Sequence, residues 1–220
     1  MVIRCLTLAC LAILYLTQGA EAGAWPRGDG AGFLQLQLRQ PTTGLAEAPI
    51  ASAYLEYGLT PSVTAGGKME IDLDAGTLSS GMLFGRWHFT SDSFPFKSAV
   101  EIAVEGNEDR LWVTPTLHLG KGFDTAFGPG WIDTTLSTDL FADGNSTAYT
   151  GFAQIGFKPA DRLLTMMGIE AMYQSGQSQM KLMPSIAWEF GEGRHLTGSY
   201  THTRKGDTLD ELSLGLWLNF

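Results

Sequence analysis

The segment 212–220 alternates strictly between large apolar side chains and small or polar ones, and reads LSLGLWLNF. Successive side chains of a strand point to opposite faces. One face of this segment therefore carries Leu212, Leu214, Leu216, Leu218 and Phe220. In a soluble protein another layer would have to cover such a face, whereas lipid covers it when the strand closes a barrel inside a bilayer. The segment thus predicts a closed membrane barrel.

The first 22 residues have the pattern of a cleaved secretory signal. Arg4 supplies a positive charge, residues 5–16 form an apolar run, and Ala20 and Ala22 place small side chains where signal peptidase cuts. The run is shorter than the roughly 20 residues that a membrane-spanning helix needs. We therefore predict a signal peptide over residues 1–22 and one barrel domain over residues 23–220, with Gly23 as the first mature residue.

Composition narrows the class of protein further. Both cysteines, Cys5 and Cys10, fall within the predicted signal, so the mature chain can form no disulfide and no cysteine-ligated metal site. The formal net charge of −9 argues against a nucleic-acid partner. After residue 22 no run of 18 apolar residues occurs, so any segments that cross a membrane must be strands.

Period-two alternation divides residues 31–220 into about twelve segments, each long enough to cross a bilayer as a tilted strand. These segments cover residues 31–39, 50–58, 63–73, 78–89, 95–105, 111–120, 131–141, 147–157, 163–173, 180–190, 195–203 and 209–220. The fold predicted is an all-β, closed antiparallel transmembrane barrel with short loops. An even strand number is the rule for such barrels, and ten or fourteen strands remain alternatives.

The links between these segments are mostly short and rich in turn residues. Residues 59–62 (LTPS), 158–162 (KPADR) and 191–194 (GEGR) are predicted turns at the periplasmic end. The link over residues 123–130 is longer than this pattern predicts. The stretch 24–30 (AWPRGDG) is expected to lead into the first strand from the periplasmic side.

Aromatic residues recur at the strand ends that this arrangement places near the periplasm. They are Tyr57, Trp87, Phe89, Phe96, Phe157, Trp188, Phe190 and Phe220. Such a ring is typical of the interfacial girdle of a membrane barrel. The alternative, a soluble β-sandwich or lipocalin-like barrel, predicts an apolar interior and a polar exterior instead.

The segment 212–220 also resembles the C-terminal signature of Gram-negative outer-membrane β-barrels, in which apolar residues alternate and a terminal Phe is read during assembly. The resemblance implies a location in the outer membrane, contact with lipid and lipopolysaccharide, and recognition by the barrel assembly machinery. It does not identify a subfamily.

Residues on the face opposite the apolar one are predicted to line the lumen. Its charged members on four consecutive strands are Glu56, Lys68, Glu70, Arg86, Lys97 and Glu101. One interpretation is a charged constriction that selects solutes. The other is a network of ion pairs that fills a narrow barrel, and the equal numbers of acids and bases favour it.

The remaining lumen face is less polar. It includes His118 and the large side chains Phe84, Trp112, Phe152, Met166, Met172, Met183 and Trp217. These side chains either form a path for hydrophobic solutes or fill the barrel as a small core would, and the second interpretation is favoured. Alternating faces and the absence of mature cysteine argue against a soft-metal site, so no metal or cofactor is expected.

No catalytic constellation stands out. Ser199 and His202 are three residues apart, which places them on opposite faces of a strand, and none of the four histidines is followed two residues later by a serine. We therefore predict that the protein is not an enzyme, with a lipid-modifying membrane enzyme as the weakest alternative.

Acidic and basic residues mix at the predicted outer rim. One hypothesis is that Arg110 and Arg204 contact lipopolysaccharide phosphates, with ordinary solvated loop charge as the alternative. The function favoured by the sequence is a narrow channel for small, including hydrophobic, solutes. The competing hypothesis is a structural barrel with a filled lumen that serves envelope integrity or partner docking.

Overall fold

A computed structural model describes residues 23–42, 48–89, 94–126, 128–142, 144, 147–205 and 207–220. Over these residues the chain forms twelve strands. They are β1 (Gly32–Pro41), β2 (Ile50–Thr60), β3 (Val63–Asp72), β4 (Thr77–His88), β5 (Lys97–Gly106), β6 (Leu111–Thr125), β7 (Gly128–Phe141), β8 (Thr147–Ala160), β9 (Leu163–Gln174), β10 (Gln177–Gly191), β11 (Arg194–Lys205) and β12 (Asp207–Asn219). No helix in the described part of the chain is long and apolar enough to cross a membrane.

Each strand pairs antiparallel with its neighbours in sequence, and the sheet closes where β1 pairs with β12. The pairing at this seam runs from Phe33 opposite Asn219 to Pro41 opposite Glu211. Closure removes the free edges that an open sheet would expose. The predicted closed antiparallel barrel is confirmed, and its twelve described strands match the favoured number rather than ten or fourteen.

The prediction of a long link over residues 123–130 was wrong, because most of these residues belong to paired strands. β6 continues to Thr125 and β7 begins at Gly128, and these two residues pair with each other. Gly128 begins β7 with a positive φ of 114°, which only glycine adopts readily. The rings of Phe123 and Phe157 meet edge to face at 5.7 Å and hold the extended strands together.

The two faces of the sheet differ sharply in polarity. Leu83, Leu136 and Leu214 point outward and are 74%, 62% and 66% exposed. Charged side chains such as Glu56 and Arg86 point inward and are almost wholly buried. This is the reverse of a soluble barrel, and lipid is the surrounding that such an exterior requires.

Aromatic side chains ring the end of the barrel at which Phe220 lies, here called the Phe220 rim. The exposed members of the ring are Tyr57, Trp87, Phe89, Phe96, Trp188, Phe190 and Phe220. Rings of this kind sit at the boundary between hydrocarbon and water in membrane barrels.

Phe220 fastens the seam at this rim. The Gly32 N–H donates to the Phe220 carbonyl at 2.6 Å, and the Phe220 N–H donates to the Gly32 carbonyl at 3.0 Å. A Cβ at position 32 would lie 2.2 Å from the Phe220 ring, so the ring packs directly on the glycine. Residue 220 thus closes the barrel as well as ending the alternating face.

Candidate functional site: the lumen

Four buried charged side chains meet in the lumen and are called here the charged cluster: Arg27, Glu56, Arg86 and Glu101. Arg86 Nη1 lies 2.8 Å from Glu56 Oε1, and Arg86 Nη2 lies 2.7 Å from Glu101 Oε2. Arg27 also pairs with Glu56. Each of the four side chains is less than a tenth exposed, so the cluster is shielded from bulk water.

Strand register explains how Arg86 reaches both carboxylates. Glu101 on β5 lies directly opposite Arg86 on β4. Glu56 lies on β2, and the strand between, β3, presents Gly66 opposite it. A Cβ at position 66 would lie 2.4 Å from the Phe84 ring. The missing side chain leaves room for large lumen side chains to extend across β3.

The stretch 23–31, called here the N-terminal segment, runs inside the barrel. Ala24 is 1% exposed, and its carbonyl accepts a 3.2 Å hydrogen bond from His88 Nδ1. A Cβ at Gly120 would lie 2.3 Å from the Trp25 ring, so this tryptophan packs on the lumen wall. Trp25 also packs against the buried group formed by Trp131, Leu164, Met166 and Ala187.

The segment then turns back to the wall to begin β1. The Gly30 N–H donates to the Gly58 carbonyl at 2.9 Å, and the Gly58 N–H donates to the Ala31 carbonyl at 2.9 Å. A Cβ at Gly58 would lie 1.6 Å from the Gly28 carbonyl oxygen, so the two backbones approach as closely as glycine allows. The sequence predicted that residues 24–30 lead into the first strand at this end of the barrel, but not that they lie inside the lumen.

A second set of ion pairs lies nearer the opposite rim. Glu70 Oε1 is 2.8 Å from Arg39 Nη2 and 2.6 Å from Lys68 Nζ. Across the lumen, Lys181 Nζ is 2.8 Å from Glu170 Oε1. These side chains are between 16% and 41% exposed, so water reaches them more readily than it reaches the charged cluster.

An aromatic arc lines part of the wall. Tyr54 and Phe84 stack at 5.8 Å, Phe33 meets Tyr54 at 6.4 Å, and Phe33 meets Trp217 at 6.1 Å. Arg27 lies 4.5 Å above the Phe33 ring. Sequence reasoning missed Phe33 and Tyr54. The available signal was that Tyr54 lies two residues before Glu56 and therefore shares its face.

Ten residues predicted to line the lumen share a strand face with buried or ion-paired lumen side chains. These residues are Glu56, Lys68, Glu70, Arg86, Lys97, Glu101, His118, Met166, Met172 and Met183. The structure brings Glu56, Arg86 and Glu101 together. His118 Nε2 lies 3.6 Å from Glu101 Oε2, which is longer than a hydrogen bond. The methionines do not form one group, since Met166 packs with Trp131 and Leu164.

A cavity of about 540 Å³ occupies the lumen on the side of the Phe220 rim. Its walls combine the aromatic arc and Met166 with polar side chains such as Gln35, Gln154 and Lys158. It reaches the charged cluster at Glu56. Among the described residues, no three His, Asp or Glu side chains are placed to hold a metal ion.

Acidic residues at the opposite rim partly serve the turns. Asp72 Oδ1 accepts hydrogen bonds of 2.9 Å from the backbone N–H groups of Asp74 and Ala75. Such a contact fixes the turn between β3 and β4. Arg110 lies 6.0 Å from the Phe141 ring, and Arg204 is exposed. Contact of these two arginines with lipopolysaccharide stays a prediction.

Comparison with known proteins supports the fold. No family model matches the chain, and no curated protein matches it by sequence. The NanC porin superposes with a TM-score of 0.68 at 7% identity, over 83% of this chain and 98% of its own. The KdgM porin gives 0.64 at 8% identity, over 86% and 99%. The COG4313 outer membrane channel from Pseudomonas putida F1 gives 0.66 at 10% identity, over 92% and 100%. The chain therefore has the fold of outer-membrane porins and channels.

Proposed function

We propose that the protein is a narrow outer-membrane channel for the passive passage of small solutes. The observation that carries this proposal is that the N-terminal segment, and not the wall alone, fills the narrowest part of the lumen. Where the lumen is most crowded, the wall presents small residues, including Gly58, Ala99 and Gly120, and the N-terminal segment fills the space beside them. A lumen filled by wall side chains alone would be a fixed core.

The lining indicates which solutes the channel would pass. Acids and bases pair in both layers of charge, so groups of both signs face a passing solute. The aromatic arc and Met166 offer apolar surface beside these charges. Small solutes with one polar and one apolar side suit such a wall, and the cavity of about 540 Å³ limits their size.

Conductance across planar bilayers tests the proposal. The refolded chain 23–220 should give small single-channel currents. A chain without residues 23–29 should give currents several-fold larger, because the crowded part of the lumen is emptied. Trp25→Ala keeps the chain length and should give an intermediate increase. Asp29→Asn, at an exposed position of the same segment, is the matched control and should leave the current unchanged.

Refolding is checked for each variant by the mobility shift between heated and unheated samples on a gel. Folded barrels that stay silent with and without the segment would overturn the channel proposal. That result would favour the competing hypothesis, a structural barrel. A specific observation supports this second candidate: the charged cluster joins β2, β4 and β5 to the N-terminal segment and braces the wall.

The arrangement nearest to a catalytic dyad lies outside the lumen. His202 Nδ1 is 2.7 Å from Asp210 Oδ1 on the outer face of β11 and β12. Ser199 points to the opposite face, where it bonds to Ser213. A serine nucleophile activated by His202 would need to lie within hydrogen-bond reach of its ring. Ser199 is therefore not placed for activation by His202.

A further inference from the structure

We infer that the lumen contains a binding site for the α-ammonium group created when the signal peptide is cleaved between Ala22 and Gly23. The site consists of Asp133 and His118, with Glu101 beside the His118 ring at 3.6 Å. Processing of the chain would then supply one of the charges that the folded lumen requires. This inference concerns the folded mature protein and does not depend on whether the channel conducts.

The first argument is the position of Gly23. A Cβ built on this residue would lie 2.7 Å from His118 Nδ1 and 3.6 Å from Arg86 Cζ. Residue 23 is therefore pressed against two charged or ionisable side chains in the lumen. At this distance a side chain would displace the His118 ring, so the backbone can pass here only with glycine at position 23.

The second argument is a set of buried polar atoms that lack partners. Within the described residues, Asp133 Oδ1 has no hydrogen-bond partner. Neither ring nitrogen of His118 has one, and its nearest ionic contact is Glu101 Oε2, 3.6 Å from Nε2. Asp133 and His118 are both 5% exposed. Buried polar atoms are seldom left unpaired in folded proteins, because each loses its hydrogen bonds with water.

The third argument is distance along the backbone. The backbone N–H of Ala24 lies near the Asp133 carboxylate. Consecutive backbone nitrogens are at most about 3.7 Å apart, as bond lengths and angles dictate. The nitrogen of Gly23 is therefore one residue away from the amide that lies near this carboxylate, and rotation about the backbone bonds of a terminal residue can turn it toward the same oxygen atoms.

The fourth argument is the balance of charge. Among the described side chains around the N-terminal segment that are at least nine-tenths buried, Glu56, Glu101 and Asp133 carry carboxylates, and Arg27 and Arg86 carry guanidinium groups. Histidines 88 and 118 also face this space. An ammonium group at Gly23 brings the count to three charges of each sign. A peptide nitrogen at the same place would supply one donor and no charge.

A double-mutant cycle tests the inference. The mature chain is compared with a chain that has one added serine before Gly23, each with Asp133 or with Asp133→Asn. Urea unfolding in detergent micelles, followed by tryptophan fluorescence, gives the folding equilibrium. The added residue should lower the folding equilibrium constant about tenfold with Asp133 in place and less than threefold in the Asp133→Asn background.

Asp139→Asn is the matched control, since Asp139 also lies on β7 and faces inward, hydrogen-bonded to Thr114. In that background the added serine should still cost about tenfold. An equal loss in all three backgrounds would mean that the serine only crowds the lumen, and would overturn the inference.

A second measurement does not depend on variants. The full precursor is exported in cells, and the intact mass of the membrane protein gives its first residue. We expect a chain that begins at Gly23, with an α-amine that an acylating reagent modifies slowly in the folded barrel and rapidly in urea. Cleavage at another position, or equal modification in both states, would contradict the proposed site.

Discussion

At the scale of the residue, glycine decides where large side chains fit inside this barrel. Gly120 accepts the Trp25 ring, Gly66 accepts Phe84, and Gly156 accepts the Trp131 ring, in each case at a distance that a Cβ would violate. Elsewhere in the described chain, Gly81 and Gly85 have no atom within 4 Å of a Cβ position. The first three positions thus require glycine for packing, and the last two do not.

This contrast gives a prediction. Gly120→Ala should lower the free energy of unfolding by about 1–3 kcal/mol, because the new methyl group overlaps the Trp25 ring. Gly85→Ala, the control, should leave it within about 0.5 kcal/mol of the parent. Urea unfolding of the two variants in detergent micelles measures both values. Equal stability of the two variants would show that Trp25 does not pack at Gly120.

The sequence predicted which face of a strand each charged residue occupies, but it did not predict which residues contact each other. Alternation placed Glu56, Arg86 and Glu101 on the lumen face. It could not show that Arg86 reaches across β3 to Glu56, because alternation along one strand does not say how far a side chain extends over its neighbour. Phe33 was missed because Phe33 and Leu34 are both apolar, so hydrophobicity alone does not say which of them points inward.

At the scale of the element, the seam between β1 and β12 differs from the other strand pairs. The seam pairs the first described strand with the last, so its two strands are far apart in sequence. Backbone hydrogen bonds between Gly32 and Phe220 and the packing of the Phe220 ring complete it at the Phe220 rim. The segment 212–220 therefore has a structural role in addition to its predicted role in assembly.

Deletion of Phe220 should weaken the seam. Loss of its two hydrogen bonds should cost about 1–3 kcal/mol of unfolding free energy. Phe89→Ala removes another exposed aromatic at the same rim but keeps every backbone hydrogen bond, so its loss should be smaller. The unheated, folded fraction on a gel after refolding measures the difference. A larger loss for Phe89→Ala would contradict this account of the seam.

Strands were predictable because alternation along each one distinguishes its two faces. The N-terminal segment has no such pattern, and its two apolar residues, Ala24 and Trp25, read as an ordinary lead-in. Its place in the lumen depends on two glycines of the wall, since Gly58 lies against Gly28 and Gly120 lies against Trp25. Such a match between distant positions is visible only after the barrel has closed.

At the scale of the whole molecule, the barrel is polar inside and apolar outside. Leu83, near the middle of β4, is 74% exposed, and Leu78, near the rim opposite Phe220, is 54% exposed. In a bilayer the first would lie close to the centre of the hydrocarbon and the second near its boundary. Replacing each leucine with a charged residue therefore tests whether position 83 lies deeper in the hydrocarbon than position 78.

Leu83→Arg should lower the free energy of unfolding from lipid vesicles by about 2–4 kcal/mol, since the charge enters the bilayer centre. Leu78→Arg should lower it by at most about 1 kcal/mol. Equilibrium unfolding by guanidinium chloride in the presence of vesicles measures both. Equal effects at the two depths would mean that β4 does not cross the bilayer.

The closure of the sheet also has a kinetic consequence. Phe33 pairs with Asn219, so nearly the whole described chain forms the loop that this contact closes. The entropic free-energy cost of closing so long a loop exceeds the cost of closing a hairpin between neighbouring strands by about 3 kcal/mol. Hairpins between successive strands are therefore expected to form first, and the joining of β1 to β12 to limit the rate of folding. Circular permutation that links β12 to β1 and opens another turn would move this slow step to the new seam.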